Sequence, residues 1–513
     1  MKFLANSLLV GLFIVLIGAF LPQSTMGNVM GNKTYHKPIP SLAINFDPQT
    51  MEDSYSYHII SQVYDTLFEL DEFLSIKPRL AADWRVSDDG LEYLIKLKPN
   101  IRFHDGKLLT ADDVIYTLHR FIKKSPYKYP ELLSISGVND YLAQKTKTVK
   151  GIEKLSDLSV KIALVSPSPT FIMVLTTPHL SVLPSDLDKK IETIFFQRTN
   201  GTGAFKIKSY VKNKRLELVQ NNDYFEGAPQ ISELFYEQAT RQQAIDGFNN
   251  RYFHDLQWYN PSVSEIKVDY SVVKFPVSRV DLLIFNTRRL PFSDKRTRAE
   301  VVAAMDTQKL FNICYSDKIA AKGLIPFGIG GYDKNFNEYA AAVTTVSKRE
   351  LSNQKVIFLR MENYPCQRDF DGAVKDFLKT VKFDTQVNYV TFQDFIDNYW
   401  TNNNYDIVEL QFFSDYPEAA PLLNYFYSRH PANISGFSSK KYDELLSQAG
   451  SMLDKYSRYN IYHQLQKILK DEAIIIPIYY DIETIIYQQK IRGMKQPALI
   501  SASLPMKYIS FEE

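Results

Sequence analysis

Cysteine and tryptophan are scarce in this chain: 513 residues hold two Cys, Cys314 and Cys366, and three Trp. So few cysteines exclude a disulfide scaffold, and their spacing fits no zinc or redox motif. They either pair in an oxidising compartment or stay as buried thiols, and the sequence leaves both open. Charge of one sign is also lacking. Lys and Arg number 60 against 58 Asp and Glu, a net +2, without the basic surplus of a nucleic-acid binder. Beyond the N-terminus no apolar run reaches the length of a membrane span. The phosphate loop Gly-x-x-x-x-Gly-Lys-Ser/Thr, the nucleophile elbow Gly-x-Ser-x-Gly and the zinc helix His-Glu-x-x-His are missing. The histidines, His36, His58, His104, His119, His179, His254, His430 and His463, are dispersed without metal-ligand spacing. Nothing in the chain calls for catalysis, a metal or another cofactor.

What is present begins with an address. Lys2 precedes an apolar run from Leu8 to Leu21, about the length of a signal-peptide core and short for a membrane span. Thr25 and Gly27 follow as small residues suited to cleavage, so residues 1–27 read as a signal peptide; the alternative is an uncleaved anchor. No Cys lies near this point for lipid attachment. Export without a lipid anchor suits a periplasm. The aromatic content, 33 Tyr and 33 Phe, serves cores first, and Tyr also suits wet clefts.

A chain of this length predicts more than one domain, and its periodicities predict a mixed α/β class. Tyr93, Ile95 and Leu97 alternate with Leu94, Lys96 and Lys98 as a half-buried strand does, before a turn at Pro99-Asn100. Val160, Ile162 and Leu164 repeat the pattern. Phe205 and Ile207 with Leu216 and Leu218 predict a hairpin. Thr110 and Asp113 predict a capped helix carrying Val114, Leu118 and Phe121 on one face. Tyr442, Leu446 and Ala449, then Tyr462, Leu465 and Leu469, mark two further helices. Ile474 to Tyr480 predicts a buried strand in which Pro477 limits pairing on one side.

Five segments carry more than local structure. The first is Phe103-His104-Asp105-Gly106-Lys107-Leu108-Leu109-Thr110-Ala111-Asp112-Asp113-Val114. The second is Gly201-Thr202-Gly203-Ala204-Phe205, followed by Asn222-Asp223-Tyr224-Phe225-Glu226-Gly227. Then come Phe285-Asn286-Thr287 with Pro291-Phe292-Ser293-Asp294-Lys295-Arg296, Phe412-Phe413-Ser414-Asp415-Tyr416-Pro417, and Ile476-Pro477-Ile478-Tyr479-Tyr480. In this order the chain resembles the bacterial extracellular solute-binding proteins of family 5, which include oligopeptide- and dipeptide-binding proteins of ABC transporters. Leu108 stands where the family usually has Pro, and Phe225 where it has Trp. Locally, Asp105-Gly106 is a turn, Thr110 a cap, and Gly201 to Gly203 a turn before a strand.

The resemblance implies a two-lobed periplasmic-binding-protein fold (type II, cluster C) with an extra inserted subdomain and a ligand cleft between the lobes. Lobe I would comprise residues 28–65, 186–280 and 482–513, with residues 66–185 inserted, and lobe II residues 281–481. It implies a monomeric carrier that captures peptides by closing about a hinge near 280 and 481 and delivers them to permease subunits of the inner membrane. A peptide ligand adds as a strand, which satisfies its backbone without reading its sequence. Asp415 would meet the ligand ammonium, because a buried cation needs a charged hydrogen-bond partner. Gln411 and Phe413 would offer their main chains. Glu52 and Ser54 fall in a second cleft-lining stretch. Asp481 replaces a Tyr common in oligopeptide binders, and either favours a cationic ligand or binds water at the hinge. Arg360 is a candidate for a ligand carboxylate, without assignment. Relatives with this fold take nickel, haem, sugars, opines or murein peptides, and an exported peptide hydrolase is a further rival. A DNA-binding sensor is disfavoured by the signal peptide.

Overall fold

The computed structural model describes residues 33–51, 53–126, 128–187, 199–315, 317–336, 354–362, 367–391, 394–399, 402–495 and 503–512. The expected signal peptide, Glu52 and Cys366 lie outside them. Three sheets of four or more strands organise the described residues.

The first sheet has the order β1 (Thr34–Ile39), β10 (Glu233–Gln238), β9 (Arg215–Gln220), β8 (Phe205–Val211), with β1 parallel to β10 and the other pairs antiparallel. The hairpin expected from Phe205 and Leu216 is β8–β9. Its apolar face packs on helix α1 (Ser54–Val63), through Ile59, Ile60, Val63, Leu216, Leu218 and Leu234. Asp53 caps α1, accepting from the amides of Tyr55 at 3.0 Å and Ser56 at 2.8 Å, which satisfies donors the helix leaves open.

The second sheet, β4 (Ala81–Val86), β5 (Glu92–Leu97), β7 (Ser159–Ala163), β6 (Ile152–Ser156), is antiparallel throughout. A hairpin of β2 (Phe68–Leu70) and β3 (Ile76–Pro78) precedes it. Tyr93, Ile95, Leu97, Val160 and Ile162 face one side and are covered by Val114, Leu118 and Phe121 of helix α2 (Ala111–Lys124), as strand and helix periods dictate. At the start of α2 the Asp113 carboxylate accepts from the Thr110 amide at 2.8 Å and from its hydroxyl at 3.1 Å.

The glycines at 201 and 203 do more than turn the chain. A side chain on Gly201 would meet the Val63 carbonyl oxygen at 2.0 Å, and one on Gly203 the Val63 carbonyl carbon at 2.4 Å. Both let the strand entering β8 press against the end of α1. Gly201→Ala is expected to lower unfolding stability by about 3 kcal/mol, since rigid backbone must move to admit the methyl. A urea midpoint within about 0.5 kcal/mol of wild type would show that the backbone yields.

The third sheet has the order β12 (Ile319–Ala320), β16 (Ile475–Gln488), β11 (Tyr270–Phe285), β15 (Ile407–Phe413), β13 (Gln354–Met361), β14 (Phe383–Val390). Val280, Leu282, Ile284, Val408, Leu410 and Phe412 pack on one face with the helices at Lys440–Ser451 and Lys455–Asp471. Leu283, Phe285, Val356, Phe358 and Ile407 pack on the other with the helix at Gln367–Thr380. Strands β11 and β16 are unusually long. Phe275, Val277 and Ile485 belong to the core of the first sheet, while Val280, Leu282 and Ile475 belong to the third. The two strands thus run antiparallel from one core into the other, with register shifts between Pro276 and Val280 and between Asp281 and Leu282. Pro477 pairs with Leu282, and β12 covers only Tyr479 and Tyr480 on its other side.

Candidate functional site

The end of β15 organises the site. Its pairing with β11 runs from Ile407 to Phe413, but its pairing with β13 stops at Val408. The Ser414 amide donates to the Ser278 carbonyl at 3.0 Å, and the Asn286 amide to the Asp406 carbonyl at 3.0 Å. Backbone groups alternate between the two edges of a strand. The Asp406 amide turns to the Ile357 carbonyl of β13, but the even-numbered residues from 408 to 414 face β11, and the main-chain groups of Glu409, Gln411 and Phe413 face the opposite edge. Among the described residues no strand pairs with that edge beyond Val408.

Past Phe413 the chain turns tightly. Ser414 Oγ lies 2.6 Å from the Tyr416 carbonyl and 2.8 Å from that of Glu418. The turn leaves Asp415 half-buried and drives Tyr416 into the core of the second sheet. There the Tyr416 hydroxyl donates to the Glu131 carboxylate, which also accepts from Thr170 Oγ1 at 2.8 Å. Burial holds the Glu131 carboxyl above its usual range. Asp415 Oδ2 lies 3.1 Å from the Tyr129 hydroxyl, which is 2.8 Å from His179 Nδ1. His179 Nε2 in turn lies 3.0 Å from the Met51 carbonyl.

Two cavities meet at Asp415. One of about 670 Å³ lies between Lys124, Lys128 and Tyr129 on one wall and Gln411, Phe413 and Tyr425 on the other. The second, about 370 Å³, reaches Asp415 from the side of Tyr57, Gln62, Arg79 and Lys507. Volumes of this order suit a small organic ligand. Aromatic walls suit an amphipathic guest, and charged groups of both signs line them, with the Asp415 carboxylate at the junction able to accept from a cationic group.

The sequence model for bacterial extracellular solute-binding proteins, family 5 middle region, matches residues 75–433. The chain belongs to this family. It is 23% identical over 470 residues to the periplasmic oligopeptide-binding protein of Salmonella typhimurium, covering 85% of each chain. It is also 23% identical over 469 residues to a probable deoxycholate-binding periplasmic protein of Escherichia coli, again over 85% of each. Among solved structures, the Haemophilus influenzae oligopeptide-binding protein in complex with RPPGFSPFR superposes with a TM-score of 0.80 at 16% identity, over 94% of this chain and 99% of that one. A Helicobacter pylori periplasmic binding protein in complex with the peptide STSA gives 0.78 at 18% identity, over 94% and 98%. The protein is thus a family 5 solute-binding protein related to peptide-binding proteins of ABC transporters, and it has their two-lobed mixed α/β fold.

Within this family 5 chain, Asp415, Gln411 and Phe413 come together on one cavity wall. Ser54 is the exposed first residue of α1 and is not among the lining residues of either cavity. The preceding segment is anchored near the site through Met51 and His179. Asp481 is 6% exposed and sits where β11 and β16 cross, bound to Arg279 at 2.8 Å and Lys318 at 2.9 Å. Its carboxyl lies below its usual range: burial raises it, and the charges of Arg279 and Lys318 outweigh burial. Two cations already occupy its oxygens, so neither a cationic ligand nor water is needed to explain it. Arg360, the unassigned candidate for a ligand carboxylate, lies away from both cavities. It is 1% exposed inside the third sheet's core, ion-paired with Asp371 at 2.8 Å and with Glu409.

Asp281 lies fully buried beside this group, paired in register with Gln411 and Tyr479. Burial pushes its carboxyl up to about 7; the Arg360 charge opposes the shift and the Asp481 charge adds to it. An acid with a raised folded pKa stabilises the fold fully below its unfolded value of about 4, and this contribution is lost as pH rises through about 7. Urea denaturation is expected to show that loss across this window, and Asp281→Asn to flatten it. An unchanged slope would assign the effect elsewhere.

Tyr129, Glu131 and His179 had no signal in the sequence. Tyr129 precedes and Glu131 lies in a single helical turn, Pro130–Leu133, and His179 lies in another, Pro178–Leu180; each is joined to Asp415 or Tyr416 only by the fold.

Proposed function

We propose that this protein captures peptides outside the cytoplasm and delivers them to an ABC permease. The observation that carries the reading is the open edge of β15, whose last main-chain groups, at Gln411 and Phe413, lead directly to the Asp415 carboxylate. A peptide laid along that edge gains backbone hydrogen bonds regardless of its sequence. Its N-terminal ammonium meets Asp415, where a charge-assisted hydrogen bond offsets desolvation. Glu52 is a further ligand contact on this reading, whereas Ser54, outside both cavities, adds none. Residues 28–65, 186–280 and 482–513 form lobe I, 66–185 its inserted subdomain, and 281–481 lobe II. The lobes close about β11 and β16, with Asp481 holding Arg279 and Lys318 together at the crossing. Residues 1–27 direct export to the periplasm and are removed. The carrier works as a monomer and needs no cofactor or chemical step.

Native mass spectrometry of the exported protein tests this. Bound masses that sequence as intact peptides are expected. A co-purified bile acid, haem or sugar, or cleavage of added peptides, would replace the reading.

A further inference from the structure

The chain Asp415–Tyr129–His179–Met51 contains fewer hydrogens than its contacts suggest. The Met51 carbonyl only accepts, so its 3.0 Å contact places a hydrogen on His179 Nε2. His179 is 3% exposed, and burial pushes its pKa well below the usual value, with the Lys128 charge adding to the effect. The groups facing it are Lys128, Tyr57, Tyr129 and the Met51 carbonyl. A neutral imidazole with its hydrogen on Nε2 has an acceptor at Nδ1. The 2.8 Å contact there takes the single Tyr129 hydroxyl hydrogen. Thr177, the other hydroxyl near Tyr129, gives its hydrogen to the Val174 carbonyl at 2.8 Å. The Tyr129 oxygen consequently faces Asp415 Oδ2, 3.1 Å away, with lone pairs.

We propose that His179 is a positioning residue for the ligand amine: by holding the Tyr129 hydrogen, it makes Tyr129 and Asp415 two converging acceptors that select a primary ammonium. This rests on the amine-binding reading of Asp415. An ammonium carries three hydrogens and bridges both oxygens, whereas an N-acetylated terminus offers one N–H and no charge. Without His179, the Tyr129 hydrogen turns to Asp415 and competes with the ligand.

The test uses the full mature protein and a library of short synthetic peptides, with free and with N-acetylated termini. His179→Phe is expected to weaken free-amine binding about tenfold, the scale of one charge-assisted hydrogen bond, and to leave acetylated peptides unchanged. In a Tyr129→Phe background the same substitution is expected to change nothing, because the competing hydrogen is gone. Nitrogen-15 NMR of wild-type protein is expected to show neutral His179 with its hydrogen on Nε2. An imidazolium or the Nδ1–H form, or an equal His179→Phe loss in both backgrounds, would overturn the proposal. If Asp415→Asn spares free-amine peptides, the amine reading itself fails; if it abolishes them and His179 does not couple to Tyr129, only this inference fails.

Discussion

Asp415→Asn is expected to weaken binding of free-amine peptides by roughly 30- to 1,000-fold and to leave N-acetylated peptides within about twofold. The substitution keeps shape and polarity but removes the negative charge and one pure acceptor. Losing one partner of a desolvated ion pair costs about 2–4 kcal/mol, most of it the penalty of leaving the other charge buried. At about 1.4 kcal/mol per tenfold this gives the stated range. Acetylated peptides bring no charge, so they gain little from Asp415 and lose little without it. Isothermal calorimetry with matched peptide pairs separates the cases. Equal losses for both termini would remove Asp415 from the amine role and leave it as a part of the turn that seats Tyr416.

Arg360→Met is expected to lower unfolding stability by about 3–5 kcal/mol, the usual consequence of removing one member of a buried ionic group. Arg360 neutralises Asp371 and Glu409 in the third sheet's core, and its guanidinium stacks 4.6 Å from the Phe370 ring. Methionine fills similar volume but strands two carboxylates. Adding Asp371→Asn and Glu409→Gln should recover most of the loss. Peptide affinity of the folded fraction should stay within about twofold. A stable Arg360→Met protein with much weaker affinity would return Arg360 to the ligand.

The elements built on one periodicity were legible in the sequence. Tyr93, Ile95 and Leu97, or Val114, Leu118 and Phe121, bury one face because a single core lies on one side of them. The long strand β16 was legible only to Tyr480, because Asp481 and Glu483 interrupt the apolar run where the strand leaves one core for the other. A charged residue there reads as a strand end, yet Arg279 and Lys318 neutralise it within the pairing. Asp415 is a candidate from the sequence because its motif resembles a family pattern. Its partners Tyr129 and His179 come from an irregular segment and a three-residue helical turn, where no period marks an inward side chain. Hydrogen-bond bookkeeping of that kind exists only in three dimensions.

The seating of Tyr416 bears on how fast a guest can be caught. Its ring lies in the core of the second sheet, and its hydroxyl is held by Glu131. Any motion that exposes Asp415 by lifting this loop also brings the ring into water. Exposing such an aromatic side chain costs about 2 kcal/mol, so an unliganded molecule would be ajar only a few per cent of the time. On the proposed carrier reading, encounter with ligand is throttled by that fraction, and the on-rate is expected to fall well below the diffusion limit even where the final complex is tight. On that reading Tyr416 would act as a doorstop, trading speed of uptake for a cleft that is seldom open to passing solutes.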